Sequence, residues 1–323
     1  MLLHQVLEFA AGSAPDTDAL VFGDRRWSFA ELEHDVARMG STLAHAVARN
    51  ERVAWFSDNC PELVMALYAV PRAGALLVLG NVRHTPEEQV DMLRSSSASV
   101  VIGSAQQLAR LAPHIADLHH VRRWYCLDGV DDLAEAIGVA ATALPTSAMD
   151  VAELFDLAPE PPRSGLDDDT HVWLIHTSGT TGRAKGALLT HRSLIAAATN
   201  TLLARPLEDD DVYLFPFPLF HVAAYNVVVH HLGRRPVVLL PRFAADDVLT
   251  AIRSEQVTTI SLAPTMLAML LEHPDRSIED LSTLRRIGYG ASAMPLDLLR
   301  RTLDELPAVG LAQGYGMTEL SGN

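Results

Sequence analysis

Short apolar runs alternate along this chain with longer stretches in which apolar residues return every third or fourth position. Runs of the first kind read as buried strands, and stretches of the second as amphipathic helices. Over 18–32 the pattern predicts two short strands joined at Gly23 and Asp24, then a helix capped by Ser28, with Glu31 at capping-box spacing. That helix carries Leu32, Val36, Met39, Leu43 and Val47 on one face. Strands are expected at 53–56, 75–79 and 99–102, separated by one helix opened by Pro61 and another capped by Thr85. Residues 144–170, rich in proline and acid, read as a surface connection. Beyond them a strand at 171–175 precedes a helix capped by Thr190. Strands at 212–215, 237–240, 258–262, 286–289 and 309–313 then alternate with helices at 221–232, 245–253, 265–271 and 296–306. Such alternation implies right-handed strand-helix-strand units and a mainly parallel sheet.

With 323 residues, 49% of them hydrophobic, the chain can bury one large core or two modest ones. Cys60 and Cys126 are its only cysteines, which fits a reducing compartment, and the 14 histidines show no zinc-like spacing. The formal charge of -15 argues against a nucleic-acid partner. No run is long and apolar enough for stable membrane insertion, so a cytoplasmic protein is expected. Whether identical chains associate is left open.

Residues 176–186 (HTSGTTGRAKG) place hydroxyls, glycines and one lysine together between a predicted strand and a predicted helix. Gly179, Gly182 and Gly186 let backbone N–H groups turn inward, while Thr177, Ser178, Thr180 and Thr181 add donors for phosphoryl oxygens. A bare Ser/Thr/Gly run also suits a flexible surface turn. The spacing is not that of a Walker loop, because Gly182 is followed by Arg183, Ala184 and Lys185. Lys185 is the single lysine among 25 basic residues, and lysine differs from arginine as a compact point charge. In so acidic a chain, Arg183, Lys185, His191 and Arg192 are expected to supply local positive charge to an anionic nucleotide.

Two further motifs follow strands. In 215–226 (FPFPLFHVAAYN), Pro216 and Pro218 end the strand and present Phe220 and His221 where open α/β sheets bind ligands. The stretches 288–295 (GYGASAMP) and 313–319 (QGYGMTE) use glycine to let backbone approach a ligand closely.

These motifs together resemble the adenylate-forming superfamily, which includes acyl-CoA synthetases, luciferases and the adenylation domains of peptide synthetases. Ala184 stands where that family usually has proline, and Ala224 where it usually has glycine. Segments 19–32, 59–62 and 74–88 extend the resemblance over nearly the whole chain. It implies an α/β fold of two stacked, mainly parallel α/β subdomains, over 50–200 and over 1–49 with 201–323. These make up the N-terminal domain of an adenylate-forming enzyme without its β-barrel and C-terminal lid domain. By the same resemblance, Thr177, Ser178, Gly179, Thr180, Thr181, Gly182 and Lys185 hold the phosphates of ATP. Gly290, Ala291, Gln313, Gly314 and Tyr315 bind the rest of the nucleotide, Thr318 contacts the α-phosphate and Glu319 holds Mg²⁺. His221, Ala224, Tyr225, Gly316 and Met317 face the acid. His221, Thr318 and Glu319 are the expected catalytic residues.

The expected reaction joins a carboxylic acid to AMP at the expense of ATP and then passes the acyl group to coenzyme A. Segment 221–224 lacks the aspartate that peptide-synthetase domains place there, so a fatty or other hydrophobic acid is expected rather than an amino acid. Because the family's catalytic lysine lies further on, a chain ending at Asn323 is expected to be impaired in turnover and, through exposed apolar surface, either to self-associate or to be less stable than a longer version. The competing expectation is a catalytically idle module of the same fold that binds nucleotide, acyl group or another protein. A luciferase-like oxygenase is a third.

Overall fold

The apolar runs become strands that are buried on both faces, and their two sets of side chains feed different cores. A computed structural model of the protein describes residues 1–139, 147–177, 185–274, 276–277 and 281–322. In chain order the elements begin with α1 (Gln5–Ser13), β1 (Asp18–Phe22), β2 (Arg25–Ser28), α2 (Phe29–Ala46), β3 (Arg52–Phe56), α3 (Pro61–Arg72), β4 (Leu76–Leu79) and α4 (Pro86–Ser96). They continue with β5 (Val100–Gly103), α5 (Ala105–Leu111), β6 (Arg123–Cys126), α6 (Val130–Ile137), β7 (Ala148–Asp150), β8 (His171–Thr177), β9 (Lys185–Thr190) and α7 (His191–Ala204). Last come β10 (Tyr213–Phe215), α8 (Tyr225–Leu232), β11 (Val237–Leu239), α9 (Ala245–Glu255), β12 (Thr259–Leu262), α10 (Pro264–Leu271), β13 (Arg286–Tyr289), α11 (Leu296–Glu305) and β14 (Gly310–Gln313).

These strands form two seven-stranded sheets, ordered β14-β13-β12-β10-β11-β1-β2 and β7-β6-β5-β3-β4-β8-β9. Every pairing is parallel except β1 with β2 and β8 with β9. Helices α1, α2, α3, α7 and α8 lie in the layer between the sheets and share one core with both. Successive strand residues point to opposite faces, so Leu20, Tyr213 and Trp55 enter that shared core. Their neighbours Val21 and Leu214 pack outward on α9 and α10, and Ala54 packs outward on α4, α5 and α6.

The helix starts follow the sequence. Ser28 Oγ accepts from the Glu31 N–H at 3.2 Å while Glu31 Oε2 accepts from the Ser28 N–H at 2.8 Å, and Thr85 and Glu88 repeat the arrangement. Thr190 caps α7, accepting from the Ser193 N–H at 3.1 Å. The expectation that the glycine-rich loop runs from a strand straight into that helix is corrected. After β8 the chain returns antiparallel as β9, with Thr177 opposite Lys185, and only then reaches Thr190. The connection before β8 is also more ordered than expected: β7 adds an edge strand, Val151–Phe155 forms a 3₁₀ turn, and the Glu160 N–H donates to Ser41 Oγ at 2.8 Å. The predicted helix over 221–232 begins as a 3₁₀ turn at Val222–Ala224 and becomes α-helical at Tyr225.

Histidines tie the inner layer together in neutral form. His231 accepts from Tyr68 O–H at 2.8 Å and donates to the Ala19 carbonyl at 3.1 Å, and His191 Nδ1 accepts from the Leu3 N–H at 2.8 Å. Burial lowers His4, His176, His191 and His230 to about 4, and His231 to about 3, from an ordinary 6.5. The unfolded chain therefore takes up these protons at a higher pH than the folded chain. Their stabilising contribution is complete above 6.5 and is lost as pH falls towards about 4. We predict that denaturant unfolding free energy is nearly level from pH 7.5 to about 6.5 and declines from there to pH 5, by up to ~1.4 kcal/mol per pH unit for each fully responding histidine. Unfolding curves that superimpose across that range contradict this assignment.

Candidate active site

The parallel strands of the first sheet end on one side of the molecule, and the segments leaving β10, β12, β13 and β14 line an open cleft of about 650 Å³ there. Open α/β sheets bind ligands at such strand ends. The turn after β10 carries His221 and is anchored from the other sheet. Asn59, in the loop after β3, donates from Nδ2 to the carbonyls of Phe217 (2.7 Å) and Leu240 (2.9 Å), and its Oδ1 accepts from the Leu219 N–H (2.7 Å). Thus one buried amide fixes the turn against both sheets. His221 Nδ1 accepts from the Ala223 N–H at 3.3 Å, capping the 3₁₀ turn and leaving the ring proton on Nε2. Surrounding protein lowers its pKa from the usual imidazole value although part of the residue is exposed, so the ring is neutral at pH 7.

Six expected residues line this cleft together: His221, Tyr225, Gly290, Ala291, Gly314 and Gly316. At Gly290 an added Cβ would stand 2.6 Å from the Gly314 carbonyl oxygen, so the ends of β13 and β14 close only around glycine. Ala291 holds a left-handed φ of 67°, which strains a residue with a Cβ and turns the backbone of the segment. Tyr225 forms one wall, its ring packed on Gly322. Gln313, Gly314 and Tyr315 line an adjoining open hollow, where the Tyr315 ring is 85% exposed and free to stack on a flat ligand.

The 3₁₀ turn Thr318–Leu320 lies against β9, the strand that begins at Lys185. Lys185 is exposed and forms no ion pair with a described residue, and the same holds for Glu319. Thr177 Oγ1 donates to the Lys185 carbonyl at 3.4 Å. Ser178, Gly179, Thr180, Thr181, Gly182 and Arg183 lie outside the described residues. No group of three histidine, cysteine or acidic side chains suited to a metal occurs among the described residues, so any divalent ion here would rest on one carboxylate, phosphate oxygens and water.

Four expected residues stand apart from this arrangement. Ala224 is fully buried in the shared core and does not line the cleft, whereas Ala223 does. His191 is buried, neutral and bonded to Leu3, so it brings no charge to a nucleotide. Arg192 is held by Asp168 (3.1 Å) and Asp169 (2.9 Å). Met317 is exposed and lies outside the cleft lining. Conversely, the sequence reading passed over Arg205 and Ser261, which line the cleft without belonging to any motif, and gave no role to Asn226 at the end of the 215–226 motif, which lines it too. It also took Asn59 only as a mark of the fold.

Residues 7–323 match the family model described as AMP-binding enzyme. The chain is 34% identical over 312 residues to a feruloyl-CoA synthase of Amycolatopsis sp, covering 96% of this chain and 58% of that protein. It is 33% identical over 326 residues to an indoleacetate–CoA ligase of Aromatoleum aromaticum, covering 99% and 60%. It thus spans somewhat more than half the length of these relatives. Among solved structures, the inhibitor-bound N-terminal domain of FACL13 from Mycobacterium tuberculosis superposes with a TM-score of 0.85 at 26% identity, over 100% of this chain and 77% of that one. The O-succinylbenzoate coenzyme A synthetase of Bacillus subtilis, in complex with ATP and magnesium ion, gives 0.79 at 28% identity, over 98% and 60%.

The Asn59 clamp yields a direct test. Asn59→Ala leaves two carbonyls and one N–H without partners and is predicted to cost about 3 kcal/mol of stability. Asn59→Asp, nearly equal in size, is predicted to be at least as damaging, because a carboxylate oxygen then faces both carbonyls. Thermal and denaturant melts in which the aspartate variant matches the native protein contradict this account.

Proposed function

Because this chain belongs to the AMP-binding enzyme family, we propose that it binds MgATP and a carboxylic acid and supports the acid-activating step of an acid–CoA ligase. The observation that carries this reading is the convergence of separate segments on one side of the first sheet. His221 and the glycine-lined cleft stand beside the Tyr315 hollow, and the turn that carries Thr318 and Glu319 lies against the strand that begins with Lys185. Relatives acting on acids as different as ferulate and indoleacetate support acid–CoA ligation in general, and leave the class of acid to this chain's own cleft.

In this reading a carboxylate oxygen of the acid attacks the α-phosphorus of ATP, the bond to pyrophosphate breaks, and an acyl-adenylate results. A coenzyme A thiol then attacks the acyl carbon, AMP leaves, and the thiol proton passes to solvent. Neutral His221 donates from Nε2 to one oxygen of the acid and leaves the other to attack. Thr318 donates to the α-phosphate, and Lys185 offsets charge on the departing pyrophosphate. Glu319 is exposed and unpaired among the described residues, which fits a hard cation; Mg²⁺, when bound, would neutralise phosphate charge there. Neither cysteine is needed as a nucleophile, and burial pushes the Cys60 thiol up to about 12.

Calorimetric titration of the 323-residue protein with MgATP tests the reading, with a measurable isotherm expected. Lys185→Ala is predicted to weaken binding about tenfold or more, the value of one charge-assisted contact. Glu319→Gln is predicted to flatten the dependence of binding on Mg²⁺ concentration. Folded protein that releases no heat with MgATP overturns the reading and favours an interaction module.

A further inference from the structure

At its inner end the cleft adjoins a smaller hollow of about 340 Å³, and the two share Arg205, Asn226, Ser261 and Gly288. Arg286 and His230 complete the walls that matter here. Neither the Arg205 nor the Arg286 guanidinium makes a hydrogen bond or ion pair with a described residue. The nearby acids are already engaged: Arg285 holds Asp210 and Asp211, each at 2.8 Å, and Thr258 donates to Asp211 at 2.8 Å. At Gly288 an added Cβ would stand 3.3 Å from both Arg205 Nη1 and Ser261 Oγ, so the missing side chain keeps the way to both open. Ser261 Oγ accepts from Tyr213 O–H at 2.9 Å and retains its own proton for a ligand. His230 stacks on Tyr213 with ring centroids 3.8 Å apart and donates from Nδ1 to the Asn226 carbonyl at 2.8 Å. Its buried Nε2 is then an acceptor without a partner among the described residues, suited to a bridging water.

Two unpaired guanidinium groups beside a ligand cleft stand out in a chain of formal charge -15. An alkyl tail reaching this point would strip water from Arg205 and return nothing, whereas a carboxylate would meet the guanidinium fork with two charge-assisted hydrogen bonds. We propose that the acid taken by this site is a dicarboxylic acid, its reacting end at His221 and its second carboxylate held by Arg205, with Ser261 and Arg286 completing the seat. The proposal rests on the acid-activating reading above and replaces the expectation of a plain fatty acid.

Matched probes separate this proposal from the reading on which it rests. With MgATP present, titrate 3-phenylpropanoate against 3-(4-carboxyphenyl)propanoate, and octanoate against octanedioate. The dicarboxylate of at least one pair is expected to bind about tenfold or more tightly than its partner, the value of a hydrogen-bonded charge pair. Arg205→Met is expected to bring that pair within about twofold while monocarboxylate affinity is kept, and Arg205→Lys to retain part of the preference. Circular dichroism melts establish that both variants fold. Equal affinity within both pairs, or a preference that survives Arg205→Met, overturns the proposal and leaves the acid-activating reading standing. If none of the four acids binds although MgATP does, both fall.

Discussion

The side chain of Asn59 spends all three of its hydrogen bonds across the seam between the two sheets, and the placement of the cleft follows from that. The turn after β10 has Pro216 and Pro218, whose nitrogens cannot donate, so its exposed carbonyls and the Leu219 N–H need partners from outside the strand. Asn59 supplies them from the opposite sheet. Its amide therefore sets where His221 stands relative to β8, β9 and the residues that flank the glycine-rich loop. The shared core of α1, α2, α3, α7 and α8 makes the same connection by apolar packing. Packing excludes water broadly, whereas the amide fixes register, since a shift of the turn would break its bonds to Phe217 and Leu219.

Much of this was legible in the chain because the inner strands are apolar on both faces and several helix starts carry a capping side chain. Ser28, Thr85 and Thr190 all cap as their spacing predicts. What the sequence hid was long-range. Arg192 looks like a free cation beside a phosphate loop until Asp168 and Asp169 are seen against it, and His191 looks polar until α1 is seen covering it. β9 was missed because a glycine- and hydroxyl-rich loop gives no local sign that the chain will turn back to pair with the strand it left. Arg205 belongs to no motif at all. It ends α7, and only the folding of β12 and β13 beside it gives it a place in the cleft.

Charge in this protein is organised by depth. Most of its many arginines that can be followed are tied to carboxylates or carbonyls, as Arg72 is to Glu8 at 2.6 Å and to the Glu160 carbonyl at 2.9 Å. The inner histidines are kept neutral by burial. Against that background, the exposed cation of Lys185 and the unpaired guanidinium groups of Arg205 and Arg286 account for local positive potential where the overall charge would repel an anion.

The single lysine has a further consequence, for covalent chemistry rather than charge. Guanidinium groups stay protonated under ordinary conditions and do not react as amines, whereas an ε-amine does so in its small neutral fraction. With every other basic side chain an arginine, the protein offers acylating agents one ε-amine, and it is exposed at the start of β9. An amine-directed probe, or any activated acyl compound formed nearby, would thus find one side-chain target. The hairpin that carries the candidate phosphate loop can be tagged in the unmodified sequence, without introducing a residue to receive the label.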